Sequence, residues 1–219
     1  MFGMKKPFVI ILGISVVTVL LSVSLLSQNP SYMPQDKQTG IDTSDGSPVF
    51  GNPNAPVTII DFSDYQCPKC NQWVQNTKPI LDQNYIDQGK VNLIFMDLAV
   101  QGPDSIKASE ASYCASDQGM YWEYHDVLYD NQGRINSGWA SNENLKKFAS
   151  DIGLDMSLFY SCLDSDKYDD RVQKNMQIAN DYGAKSTPTF VIIGPEGQQR
   201  VIEGPQPYEI FEKTIEEFS

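Results

Sequence analysis

Histidine occurs once in these 219 residues, as His125, and 16 basic side chains face 28 acidic ones. One imidazole leaves a mixed Cys and His metal site poorly supplied. With a formal charge of −12 and no cluster of Lys and Arg to neutralise phosphates, a nucleic-acid partner is excluded. Four cysteines are too few to hold a small disulfide-built scaffold. A zinc site using all of them would need a distant pair to converge on a close one. No Gly-rich phosphate loop, Ser-His-Asp signature or internal repeat appears. The chemistry therefore rests on where the cysteines sit, with no metal and no organic cofactor expected.

What is present starts with a membrane-length run. Lys5 and Lys6 precede Pro7, and Phe8 to Leu26 is free of charge and mostly apolar. At about 1.5 Å of rise per residue, a helix of that length spans roughly 28 Å, close to the hydrocarbon thickness of a bilayer. Residues 1–27 are expected to form a single-pass anchor, with the two lysines keeping the N-terminus cytoplasmic. The alternative is a signal peptide cut near Ser22-Val23-Ser24, which releases a secreted protein. Either way the rest of the chain is exported. Residues 28–47, rich in Gln, Asn, Ser, Asp, Pro and Gly, read as a flexible linker. Residues 48–219 are then the folded part, in a compartment where disulfides persist.

The patterning of that part is mixed. Val57–Phe62 and Val91–Asp97 read as strands, separated by a helix from Cys67 to about Gln88 that Pro79 should kink. Helical periodicity then runs over 104–131, 142–152, 155–163 and 167–182, with Asn142 a partial capping signal and Gly183 a C-cap. Strands return at Thr189–Ile193 and Arg200–Glu203, joined by a four- to six-residue turn, before a closing amphipathic helix over 206–218. The order β-α-β, helices, β-β-α predicts an α/β fold with a helical insertion of about 100–183.

Cys67-Pro68-Lys69-Cys70 falls where a strand ends and a helix begins. Two cysteines at this spacing close a small disulfide ring, with the first exposed and the second turned back toward the helix. Unused backbone N–H groups and the helix dipole favour an anion at the first sulfur. Such a thiol falls from a pKa of about 8.5 to as low as about 3.5, and a stabilised reduced form makes its disulfide a stronger oxidant. Lys69 is expected to add to that field. In isolation the pair is also compatible with half of a zinc site.

The segment Phe62-Ser63-Asp64-Tyr65-Gln66-Cys67-Pro68-Lys69-Cys70 resembles the active site of the DsbA-like, thioredoxin-fold thiol–disulfide oxidoreductases. Gly51-Asn52-Pro53-Asn54-Ala55-Pro56-Val57 is similar to the lead-in to that family's first active-site strand. Gln118 to Asp126 resembles a helix of its insertion, and Ser186-Thr187-Pro188-Thr189-Phe190 the loop carrying its cis-proline. The resemblance implies a thioredoxin-like fold in which Cys67 attacks and forms the mixed disulfide, Cys70 resolves it, and Pro68 and Lys69 tune the site. It implies a cis Pro188, with Thr187 presenting backbone to a substrate strand; on sequence alone an ordinary trans proline is the default. Asp61, six residues before Cys67, matches a buried acid that exchanges a proton with Cys70, against a strand-end Asp facing water. The implied substrates are reduced or misfolded exported proteins, and the implied reoxidant is a quinone-linked membrane partner. A reductase or isomerase using the same site, or a non-catalytic peptide-binding module, are the alternatives.

Cys114 and Cys162 fall in the inserted helices. A structural disulfide between two of those helices is expected, with buried free thiols or a relay pair as the alternatives. His125, within Trp122-Glu123-Tyr124-His125-Asp126, reads as helix packing rather than catalysis.

Overall fold

A computed structural model describes Met1, Gly3 and residues 40–218. The expected membrane segment Phe8–Leu26 and the expected linker as far as residue 39 lie outside the described residues. Among the described residues, no helix is long and apolar enough to cross a membrane.

β-Branched and aromatic residues build a five-stranded sheet: β1 (Phe50–Gly51), β2 (Val57–Ser63), β3 (Val91–Asp97), β4 (Thr189–Ile193) and β5 (Gln199–Glu203), in the order β1-β3-β2-β4-β5. β2 and β3 run parallel, and the other three pairings are antiparallel. Between β2 and β3 lie α1 (Pro68–Asn76), α2 (Lys78–Leu81) and a π-helical turn, Asp82–Ile86. The insertion holds α3 (Pro103–Ser116), α4 (Tyr121–Asp130), α5 (Asn142–Asp151), α6 (Met156–Asp164) and α7 (Asp169–Asp181), and α8 (Tyr208–Glu217) closes the chain.

Alternation along the strands divides the core. Ile59, Phe95, Phe190 and Ile192 meet Trp73 of α1 and Phe211 and Ile215 of α8 on one face. Ile60, Phe62, Ile94, Met96 and Val191 meet Ile41 and Ala179 of α7 on the other. β5 is an edge strand on which only Ile202 is buried, and its Arg200 pairs with Glu217 of α8 at 3.2 Å.

Several boundaries differ from the sequence expectation. The long helix expected from 67 to 88 breaks at Thr77, before Pro79, because a proline nitrogen cannot donate to the carbonyl four residues back. The helix expected over 104–131 is two, split at Gly119 with φ +75°. The cap at the start of α5 is Ser141, whose side chain accepts from Asn144 N at 3.4 Å; Asn142 is the first helical residue. Residues 41–47, placed by composition in the linker, are packed. Ile41 and Ser47 are buried, Ser47 pairs with Phe95 through N→O and Oγ←N bonds of 2.9 Å each, and Arg171 donates to the carbonyls of Asp45 and Gly46. A polar segment orders here through its backbone, which composition does not reveal. Gly183 takes φ +83° after α7, and the β4–β5 turn closes with Gly194 N to Gln198 O at 2.9 Å, both as expected.

Candidate active site

The chain leaves β2 through Asp64, Tyr65 and Gln66, and Cys67 N donates to Asp64 O at 3.0 Å. Cys67 is the N-cap of α1, with extended backbone (φ −76°, ψ 117°), and Pro68 takes a first-turn position that needs no N–H partner. No side chain caps the helix. The N–H groups of Lys69 and Cys70 are therefore left for the Cys67 sulfur.

Cys67 is lowered from the ordinary thiol value to about 6, first by the Cys70 thiol that donates to it, then by the Thr187 side chain and those two N–H groups, against burial. Cys70 is pushed well above the ordinary range by burial first, then by donating to Cys67 and by the negative charges of Cys67 and Asp61. The two thiols, both free, thus titrate far apart. Cys67 differs from expectation in one respect: it is only 3% exposed, while Pro68 and Lys69 stand at the surface. Lys69 contributes its backbone N–H to the anion.

The Thr187–Pro188 peptide is cis, and the Cys67 sulfur lies 3.4 Å from Thr187 O. Strand alternation puts Asp61 on the sheet face covered by α1, in register with Phe95 and Phe190. Its carboxyl is 1% exposed and accepts from Ser63 Oγ. Burial lifts it to about 7, the charge of Cys67 adds to the rise, and Ser63 and the buried ammonium of Lys78 oppose it. The structure therefore brings together Cys67, Cys70, Asp61, Thr187 and Pro188.

Residues that sequence reasoning missed hold this turn in place. Asp64 accepts from Gln66 N (2.7 Å), Gln101 N (2.8 Å) and Ser105 Oγ (2.6 Å). Buried Gln66 donates to Ser105 Oγ and accepts from Asn136 N at 2.6 Å and Trp139 Nε1 at 3.2 Å. Gln132 and Asn71 add bonds between α1 and the segment after α4. Their only sequence signal is polarity next to the cysteine motif, because partners about 40 to 70 residues away cannot be read from spacing.

The other cysteines are bonded to each other: Cys114 on α3 and Cys162 on α6 form a disulfide, in apolar surroundings that include Phe159 and Leu163. His125 is buried, with Nδ1 at 3.0 Å from Tyr65 OH and its ring against Phe95 and Tyr129. Burial holds it well below the ordinary imidazole range, so it is neutral and serves packing. Among the described residues, no three His, Cys, Asp or Glu side chains converge as metal ligands.

Known proteins share this fold. A family model described as Thioredoxin matches residues 43–217. Disulfide bond formation protein D of Bacillus subtilis is 27% identical over 191 residues, covering 86% of this chain and 84% of its own. A probable disulfide bond formation protein D of Bacillus anthracis is 30% identical over 150 residues, covering 66% of this chain and 69% of its own. Among solved structures, oxidised BdbD of Bacillus subtilis superposes with a TM-score of 0.73 at 25% identity, covering 81% of this chain and 94% of that one.

Proposed function

Because the chain belongs to the DsbA-like, thioredoxin-fold thiol–disulfide oxidoreductases, we propose that it works as an extracytoplasmic oxidase, tethered to the membrane by residues 1–27, that introduces disulfides into exported proteins. What supports this direction is the likeness to relatives named for disulfide bond formation, and what supports the exchange chemistry is the inequality of the two thiols. Cys67 is held as an anion near neutral pH while Cys70 keeps its proton. Stabilising the reduced form in this way makes the Cys67–Cys70 disulfide a better electron acceptor.

In the forward reaction a substrate thiolate attacks Cys67 Sγ of the oxidised site. The Cys67–Cys70 bond breaks, and Cys70 leaves as a thiolate that takes a proton from Asp61, whose pKa of about 7 keeps that proton available. A second substrate thiolate then attacks the substrate sulfur of the mixed disulfide, and Cys67 departs as the better leaving group. Two electrons have moved from substrate to enzyme. Reoxidation by a quinone-linked membrane partner reverses the roles, with Asp61 accepting the Cys70 proton. Extended substrate backbone lies along Thr187 and Pro188.

The test is the equilibrium constant of the Cys67–Cys70 couple against glutathione, with the Cys67 thiolate titrated in the same sample. A potential near about −120 mV supports the oxidase, and one near about −270 mV assigns a reductase instead. Protease protection of intact cells checks the placement: a domain shielded inside the cytoplasm overturns it.

A further inference from the structure

We propose that Gln132 is the positioning residue of Cys67: its side-chain amide, donating to the carbonyls on either side of the active-site turn, holds that turn so that backbone N–H groups converge on the sulfur. The inference rests on the reading of Cys67 as the attacking thiolate.

Gln132 follows α4 and belongs to the insertion, yet it spends its polar atoms on the cysteine motif. Nε2 donates to Tyr65 O at 2.7 Å and to Cys67 O at 3.1 Å. Oε1 accepts from Asn71 Nδ2, on α1, at 3.2 Å, and the same Asn71 nitrogen donates to Tyr129 O at 3.0 Å. These bonds fix the orientation of both amides. Turning Gln132 over would set an oxygen against two carbonyl oxygens, and turning Asn71 over would set one against Gln132 Oε1 and Tyr129 O. Among the described residues, none bonds to the buried Asn71 Oδ1.

The effect on the sulfur follows from the backbone. Cys67 N is tied to Asp64 O, and Cys67 O accepts both the helical bond from Asn71 N at 3.1 Å and the Gln132 amide. A residue held at N and at O has little freedom to turn. Its sulfur stays over the N–H groups of Lys69 and Cys70 that lower its pKa. Gln132 carries no charge and is not seen to touch the sulfur, so it acts through this geometry and not through a field of its own.

Gln132→Met keeps the length and removes both donors. Gln75→Met removes a different hydrogen bond between α1 and α4, from Gln75 Nε2 to Asp130 Oδ1 at 3.1 Å, and serves as the control. The Cys67 thiolate is titrated by its absorbance near 240 nm in both variants and in the parent, alongside the glutathione equilibrium and thermal unfolding. The expected result for Gln132→Met is a thiolate less stable by about three- to tenfold, the worth of one ordinary hydrogen bond, with the disulfide less oxidising in step. Gln75→Met should titrate with the parent. Asn71→Ala, which frees the Gln132 amide to turn, should shift the same way by less, and it carries the test if Gln132→Met does not fold. A parental titration in a folded Gln132→Met or Asn71→Ala protein overturns the inference, whatever the melting temperature. A parent that titrates like free cysteine overturns the underlying reading of Cys67 instead.

Discussion

Cys67 and Cys70 stand three apart at the mouth of one helix, while Cys114 and Cys162, 48 residues apart, tie α3 to α6. Exposure does not distinguish the pairs, since all four residues are less than 10% exposed. The difference lies in what surrounds the sulfur. Cys67 has a thiol, a threonine side chain and two backbone N–H groups directed at it, with a buried carboxyl nearby. Cys114 and Cys162 lie in the same apolar cluster as Cys67 and Cys70, but they are bonded to each other between α3 and α6. Burial is common to both pairs, so the donors around Cys67 are the feature expected to set its reactivity apart.

Breaking the first pair should have the largest effect. Cys67→Ser is expected to abolish oxidation of a model dithiol peptide, and Cys70→Ala to accumulate mixed disulfides visible on non-reducing gels. Full turnover in the serine variant contradicts the comparison. Breaking the second pair should leave exchange chemistry in place and act on stability. From the sequence separation of 48, loop-closure entropy gives about 4 kcal/mol. Urea unfolding of Cys114→Ala with Cys162→Ala measures it, and loss of dithiol oxidation in that folded variant would show the two pairs to be coupled.

Asp61→Asn sharpens the contrast further. A carboxyl raised from 3.8 to about 7 keeps its proton in the folded chain, where the unfolded chain has lost it. Stability therefore falls as pH rises across that window, by up to roughly 4 kcal/mol for a shift of about three units. Asp61→Asn should recover about 2–3 kcal/mol of this at pH 8 and nothing at pH 4, while slowing turnover because Cys70 loses its proton partner. A stability gain that is the same at both pH values argues against the buried acid. The smallest effect should come from Lys69→Gln. An exposed charge is screened, so the Cys67 thiolate should move by a few tenths of a pH unit at most and not at all at high salt. A shift of a full unit would assign the ammonium a role that the backbone N–H now fills.

The framework of this fold was legible because its signals are local. β2, β3 and β4 appear as runs rich in Val, Ile and Phe, and the cysteine motif and Thr187-Pro188 are contiguous strings. Three kinds of feature were not legible. β1 is two residues long and has no periodicity to read. The order of residues 41–47 comes from backbone groups gripped by Arg171 and Asn175, which lie more than 100 positions away. The polar clamp on Cys67 likewise depends on Gln132 and Asn136, whose partners only the folded insertion supplies. Asp61 was legible in position through the family resemblance, but its burial needed the register with Phe95 and Phe190.

The outer strand of the sheet has a consequence for the company this protein keeps. β5 is five residues long, it exposes Gln199, Arg200, Val201 and Glu203, and Arg200 is held by Glu217. A catalyst proposed to handle chains that have not yet folded meets aggregation-prone segments at every encounter. A long, greasy border would recruit those segments into a growing fibre; a short and charged one gives them nothing to extend.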